Sequence, residues 1–326
     1  HEVIQFFPNA VTVGAHFGVV LVKVQGSAIE IATFRTDGSY ADGRKPESVT
    51  FATIDEDASR RDFTINGLFY DPITDKLLDF VGGQKDLEVR TLRAIGNAQE
   101  RFAEDHLRLL RAVRFATRFE FEIAEETWEA LEAFAPDISR ISPERIRDEL
   151  DRIWVHPNRV LGFDLLVKSG LMLAIFPEIL KLQGCEQPPQ WHPEGDVFVH
   201  TRIMLDMLPD EASLPLVLSV LFHDIGKPAT YSFDKLNDRI RFNGHDRVGA
   251  DMTESILRRL RYSNEVIEDT VVAVANHMVF KDVQKMRVAK LKRFMARHTF
   301  ADELELHRVD CGSSHGMLDN HTFLKE

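Results

Sequence analysis

The chain has 326 residues, a net charge of -12 at neutral pH, and 44% hydrophobic and 28% charged residues. That length exceeds one comfortable core and predicts two or three domains, while no apolar run reaches the roughly 18 residues of a membrane span. The acidic balance excludes a protein that coats nucleic acid nonspecifically, and the two cysteines, Cys185 and Cys311, fit a reducing cytoplasm better than a disulfide framework or zinc knuckle. The chain starts at His1 rather than Met, so a segment of a longer protein is expected.

In chain order, the strand signals come first. FGVVLVKV and IEIATFR are β-rich runs joined by QGSA, which predicts a hairpin, and TDGSYADGRKPES after them has the composition of a mobile link. In EDASRRDFTINGLFYDP, Arg60 and Arg61 stand beside Asp62 and Asn66 where strand signals resume. The arginines are either a solvated turn or forks suited to phosphate oxygens, with Asn66 able to bond a ribose or base.

From about Asn97 the patterns are helical, with breaks at Ile141-Ser142-Pro143, at His156-Pro157-Asn158 and at EQPPQWHPEGD. Arg145 denies Ser142 a capping box, so the helix opening at Pro143 relies on proline at its first position and on Glu144. FAEDHLRLLRAVRFATRF, residues 102–119, predicts one helix whose apolar face holds Phe102, Leu109, Ala112, Val113, Ala116 and Phe119. Asp105 falls in the middle of that face and Arg108 one turn on at its border. Either they form an ion pair worth a few tenths of a kcal/mol, or something outside the chain needs an acceptor and a donor side by side.

Nine of the thirteen histidines lie between 192 and 321, and they define the last module. SLPLVLSVLFHDIGKP is apolar on all sides, which predicts a buried helix ending near Gly226 and Pro228, with His223 and Asp224 at its C-terminal end. His200 is in register with Val197, Met204 and Met207, His245 with Met252 and Ile256, His277 with Val274, and Asp310 with Leu306. So many inward imidazoles and carboxylates are costly to bury unless a metal ion satisfies them. A nitrogen-rich set suits Mn, Fe, Co, Ni or Zn better than magnesium. Residues 281–298, KDVQKMRVAKLKRFMARH, carry seven Lys or Arg against one Asp, with Val288, Leu291 and Met295 at helical spacing. This is a solvated helix face or a phosphate-contacting one, with Lys290, Lys292 and Arg293 the candidates.

Two resemblances organise these readings. The order H…HD…H…H…D, with FHDIGKP at its centre, resembles the HD superfamily of metal-dependent phosphohydrolases. It implies metal ligation by His200, His223, Asp224 and Asp310, a second site completed by His245 and His277, and phosphate neutralisation by Lys227. A 2′,3′-cyclic nucleotide is the type of substrate expected. RRDFTIN, then DFVGGQKDL, then EDHLRLLRAVRF resemble the bacterial tRNA nucleotidyltransferase and poly(A) polymerase family, the class II CCA-adding enzymes.

That second resemblance implies a protein template in which Asp105 and Arg108 read the Watson-Crick edge of CTP or ATP. Arg61, Arg111 and Arg114, with Asp62 and Asn66, would handle the rest of the nucleotide, although the wheel puts Arg111 and Arg114 on another side from Asp105. Partners are CTP, ATP and the acceptor arm of tRNA. The Mg²⁺-binding DxD carboxylates of the family are expected ahead of His1, so the chain as given should bind nucleotide without polymerising. Asp55 and Asp57 spell DxD but stand where the family has acidic loop residues; Glu30 is either a third acidic group beside the metals or a surface strand residue. Retention of the loop around residues 36–48 ranks CC-only addition last among CCA-, A-, poly(A)- and CC-adding activities.

The expected architecture is α+β and mostly helical: a polymerase-β-like nucleotidyltransferase head at 1–95, incomplete at its N-terminus, an all-α neck and body at 96–185, and an all-α HD domain at 186–326. Two other readings compete, an HD phosphohydrolase whose head only binds nucleotide or RNA, and an RNA-binding protein that has lost both activities.

Overall fold

A computed structural model describes residues 2–11, 19–37 and 49–326. Most of the link TDGSYADGRKPES therefore lies outside the described residues. The chain is mostly helical, with small two-stranded sheets, and divides into two compact units: His1–Arg108 with Phe121–Phe134, and Leu109–Glu120 with Ala135–Glu326.

In the first unit, Val19–Val24 pairs antiparallel with Ser27–Ala32, leaving Gln25-Gly26 as a two-residue turn. Both turn residues have positive φ, 49° and 84°, the twist-matched geometry of a tight hairpin. Arg35–Asp37 then pairs with Val49–Phe51. The helix Ile54–Ser59 opens on a capping box, in which the Thr53 N–H donates to Glu56 Oε2 at 2.9 Å. It leads into the short helical turn Thr64–Asn66 and the hairpin Leu68–Asp71 with Lys76–Asp79.

The DFVGGQKDL stretch clamps that turn. Asp79 accepts the N–H groups of Val81, Gly82, Gly83 and Gln84. A Cβ on Gly83 would lie 2.3 Å from the Thr64 carbonyl oxygen, so only glycine permits the approach. Asp86, buried, accepts the Thr64 hydroxyl at 2.7 Å.

The single helix expected over 102–119 is two: Ala98–Glu104 and Leu107–Phe119, with Asp105 between them at φ -146° and ψ 104°. The cause is the Asp105 side chain, whose Oδ1 accepts the Leu107 N–H at 3.0 Å; aspartate favours such a capping position over a helix interior. Asp105 therefore does not interrupt an apolar face. Leu109, Ala112, Val113 and Ala116 are fully buried by the second helix, Phe102 by the first, and Phe119 is 40% exposed.

In the second unit, Pro143–Trp154 opens on proline with no side-chain cap from Ser142, as its sequence predicts. The apolar helix Leu214–Phe222, capped by Ser213, packs against Val197–Asp206, Asn264–Asn276 and Phe300–Ser313, while His245–Arg259 packs on Asn264–Asn276. The C-terminal module is not purely helical: Tyr231–Asp234 and Arg239–Phe242 form a hairpin in which polar and apolar residues alternate. Nor is 281–298 one helix. A 3₁₀ segment, His277–Lys285, is separated from Val288–Met295 by extended Met286 and Arg287. Phe294 anchors the helix, packed with Phe280, Val283 and Leu324, whereas Val288 is 68% exposed.

Candidate functional site

The metal ligands expected from the sequence come together, each placed by an element end or a helix face. His200 projects from Val197–Asp206, His223 caps the buried helix Leu214–Phe222, and Asp224 follows in the turn. His245 begins His245–Arg259, His277 ends Asn264–Asn276, and Asp310 lies in Phe300–Ser313. The six expected ligands form two clusters, His200 with His223 and Asp310, and Asp224 with His245 and His277; a third group able to hold a metal, His192 with Glu194 and His200, adjoins the first.

Their hydrogen bonds decide which nitrogens are available. His223, His245 and His277 donate Nδ1–H to the carbonyls of Val220, Phe242 and Val274 at 2.9, 2.7 and 2.6 Å. A carbonyl only accepts, so each ring keeps its lone pair on Nε2 and turns it inward. The Nε2 atoms of His245 and His277 face each other at 3.0 Å, 3.4 and 3.8 Å from Asp224 Oδ1. Nε2 of His200 and of His223 and Oδ1 of Asp224 are buried with no hydrogen-bond partner. Converging lone pairs with nothing between them repel, and unpaired buried polar atoms cost about 1–3 kcal/mol each. A cation is the group that fits.

The electrostatics agree. Burial pushes His277 down to about 4, so it is neutral and able to ligate. Burial would also lower His200, but Asp310 and Glu194 on either side outweigh it and raise it to about 9, the mark of a place made for positive charge. Asp224 stays well below the usual carboxylate range: burial opposes ionisation, yet His223 and Lys227 overcome it. Lys227 Nζ lies 2.5 Å from Asp224 Oδ2 and donates to Gln187 Oε1 at 2.6 Å. A cleft of about 540 Å³ opens over both clusters, with Trp191, His192, Lys227, Arg241, Phe242 and Lys281 on its walls.

In the first unit, Asp57 is buried and takes Arg60 on one oxygen, at 2.6 Å, and Arg61 on the other, at 3.1 Å. Arg61 also donates to the Asn66 carbonyl at 2.8 Å and lies over the Phe69 ring. Asp62, buried, accepts the Phe63 N–H and the Asn66 side-chain amide, both at 2.9 Å, so these two candidates lock each other into the turn. Arg108 donates to Glu104 at 2.6 Å, to the Arg101 carbonyl at 2.9 Å and to the Arg60 carbonyl at 3.3 Å. That last bond fastens Arg108 to the RRDFTIN segment. Glu30 is exposed on its strand, opposite Leu21, and Asp55 is exposed.

In the second unit, Arg114 is buried and donates to Glu149 at 2.5 Å, which commits it to an internal ion pair; Arg111 is half-buried, 3.9 Å from the same carboxylate. Lys290, Lys292 and Arg293 are all exposed on Val288–Met295. No described helix is long and apolar enough to cross a membrane.

Sequence reasoning missed Gln187, His192 and Glu194. Glu194 Oε1 lies 2.7 Å from His200 Nδ1 and 2.9 Å from His192 Nδ1. The available signal was a His-x-Glu beside the first ligand histidine, inside a stretch that reads as a break.

Three family descriptions match the chain: "Poly A polymerase head domain" at residues 1–93, "Probable RNA and SrmB- binding site of polymerase A" at 120–182, and "HD domain" at 196–306. A CCA-adding enzyme of Geobacillus thermodenitrificans is 43% identical over 171 residues, which are 52% of this chain and 42% of that one. A multifunctional CCA protein of Herminiimonas arsenicoxydans is 31% identical over 327 residues, 95% of this chain and 76% of the relative. The structure of the Bacillus stearothermophilus CCA-adding enzyme in complex with CTP shares the fold, with a TM-score of 0.69 and 24% identity over 99% of this chain and 69% of that one. The chain thus spans less than half the length of the first of these relatives and about three quarters of the second. It belongs to the family of CCA-adding enzymes and multifunctional CCA proteins, and carries that family's head and an HD domain.

Proposed function

We propose that the chain is part of a cytoplasmic tRNA 3′-end nucleotidyltransferase that adds CCA or A from CTP and ATP. The observation that carries this reading is the bond from Arg108 to the Arg60 carbonyl. It joins the base-reading pair Asp105 and Arg108 to Arg61, the guanidinium suited to phosphate, on one local framework. Ionised Asp105 only accepts hydrogen bonds, which matches the exocyclic amino group shared by C and A; Arg108 only donates, which matches the ring nitrogen beside it. Asp57 and Glu104 hold the two guanidinium groups before nucleotide arrives, and such preorganisation lowers the cost of binding. Arg111 is a further contact in this reading, and the exposed Lys290, Lys292 and Arg293 meet the phosphates of the tRNA acceptor arm. The test is equilibrium binding of the four nucleoside triphosphates to the chain, followed by extension of tRNA ending at the discriminator base or in CC by the full-length protein. CTP and ATP binding at least 10-fold tighter than UTP and GTP is expected; equal affinities overturn the reading.

The HD module serves, in this proposal, as a phosphodiesterase acting on a small phosphoester such as a 2′,3′-cyclic nucleotide. Its support is the converging, unpaired donor set. A divalent transition metal held by His200, His223 and Asp310, and a second by Asp224, His245 and His277, would supply Lewis acidity and an activated water. Lys227 sits at the wall of the cleft to neutralise phosphate charge, and Trp191, 48% exposed, offers a face on which a base can stack. The alternative, an HD phosphohydrolase whose head only binds nucleotide, predicts hydrolysis by the full-length protein with no tRNA extension.

A further inference from the structure

The stretch EQPPQWHPEGD joins two helices, yet it delivers a carboxylate to the metal centre. Glu194 has a side chain only 7% exposed, and one of its oxygens, Oε1, lies 2.7 Å from His200 Nδ1 and 2.9 Å from His192 Nδ1. Asp196 pins the segment: Oδ1 caps Val197–Asp206 through the Val199 N–H, and Oδ2 accepts the Gly184 N–H. On the opposite edge of His200, Asp310 Oδ1 lies 3.2 Å from Nε2. The other three histidines of the centre bond Nδ1 to neutral carbonyls. His200 bonds its Nδ1 to a charged group at 2.7 Å, with the Ser313 hydroxyl farther off at 3.3 Å.

We propose that Glu194 is a positioning residue of the metal centre: it fixes the tautomer and ring orientation of His200, and its charge makes that imidazole the stronger electron donor to the ion shared with His223 and Asp310. For Nε2 to carry a lone pair toward the other two ligands, the proton must sit on Nδ1, where a carboxylate, which only accepts, receives it. The same oxygen holds His192, whose ring packs edge-on against His200 with centroids 5.0 Å apart, and this seals the outer side of the ligand. The proposal rests on the reading of these residues as a metal centre.

The test measures Co²⁺ and Mn²⁺ affinity of the purified chain by competition with a chromogenic chelator, alongside the visible spectrum of the Co²⁺ form and the melting temperature of the metal-free protein. Removing an outer carboxylate partner typically costs about 10–100-fold in affinity. Glu194→Ala should weaken one ion by that factor and shift its Co²⁺ band, leaving the ion of the Asp224 cluster unchanged. Glu194→Gln should lose less, since its amide oxygen still accepts from Nδ1, and it carries the test if the alanine variant does not fold. Wild-type affinity and spectrum in Glu194→Gln and in any folded Glu194→Ala protein overturn the proposal, as does a fall in metal-free melting temperature with unchanged affinity. A wild-type chain that binds no ion removes the metal centre itself, a different failure.

Discussion

The proposed metal centre and the RRDFTIN segment are built from similar charged residues, but their hydrogen bonds are distributed in opposite ways. Around RRDFTIN, Arg60, Arg61, Asp62, Asn66 and Arg108 have protein partners, and Asp57 and Glu104 hold the guanidinium groups in place. In the centre, backbone carbonyls and Glu194 occupy the outer nitrogen of every candidate ligand histidine; the inner ones converge, those of His200 and His223 without a hydrogen-bond partner and those of His245 and His277 facing each other. A satisfied network presents a finished surface to a ligand that comes and goes. An unsatisfied buried one requires an ion to complete it. The two regions should therefore respond differently to mutation.

The largest effect is expected at Asp224. Replacing it with alanine should abolish binding at its own cluster and lower phosphoester hydrolysis by more than the roughly 100-fold that loss of an outer partner costs. Metal content by mass spectrometry and hydrolysis of a 2′,3′-cyclic nucleotide should fall together while CTP affinity stays at the wild-type value. A CTP affinity that also collapses would break the separation of the two regions.

Next is Asp105, whose two roles can be separated. Asp105→Asn retains an oxygen to cap Leu107 but replaces the other acceptor with a donor. Selectivity for CTP and ATP over UTP and GTP should fall by about 10–100-fold, the worth of a charged hydrogen bond of about 1.5–3 kcal/mol, with little change in melting temperature. A loss of stability with selectivity intact would make Asp105 a cap only.

A smaller effect is expected from neutralising Lys290, Lys292 and Arg293 together. Each phosphate contact contributes about 0.7–0.9 to the slope of log affinity against log salt, so tRNA binding should lose about 2 from that slope. An unchanged slope marks the helix as a solvated face.

The smallest is a pH effect at Asp151, half-buried and accepting a hydrogen bond from the neutral Tyr262 hydroxyl at 2.6 Å. Burial raises its carboxyl to about 6, above the ordinary 3.8. Between these values the folded chain binds more protons than the unfolded one, so stability falls as pH rises through that window. Asp57 has the opposite sign: burial opposes its ionisation, but Arg60, Arg61 and the Arg35 N–H prevail and lower its pKa. Denaturation at pH 4.5 and 7.5 should show Asp151→Asn gaining on wild type by of order 1 kcal/mol at the higher pH, the partial exposure of the carboxylate limiting the size.

The six candidate metal ligands were legible because His200, His245, His277 and Asp310 share helical registers with apolar residues, and because FHDIGKP places His223 and Asp224 at the end of a buried helix. The break at Asp105 was not, since Phe102 and Leu109 are both buried and preserve the helical period across a junction set by one side-chain hydrogen bond. The basic stretch misled in part: of Val288, Leu291 and Met295 at helical spacing only Leu291 packs on the core, and Phe294 makes the buried contact. Glu194 and Gln187 lie in a segment without periodicity, and their partners, His200 and Lys227, are fixed by tertiary folding alone. Arg114 bears the charge expected of a nucleotide contact, but its partner Glu149 is on another helix, beyond any pattern along the chain.

One contact sets the gauge of the metal centre. A Cβ on Gly226 would fall 2.3 Å from the His245 carbonyl oxygen and 2.7 Å from the Gly249 nitrogen, so here two stretches of bare backbone touch. Asp224 stands two residues from this crossing on one side and His245 directly on it on the other. Peptide units deform far less readily than side chains rotate. The distance from Asp224 to His245 is therefore that of a jaw with a fixed opening, and in the proposed metal site ions of different radius would have to be accommodated by the carboxylate swinging within it.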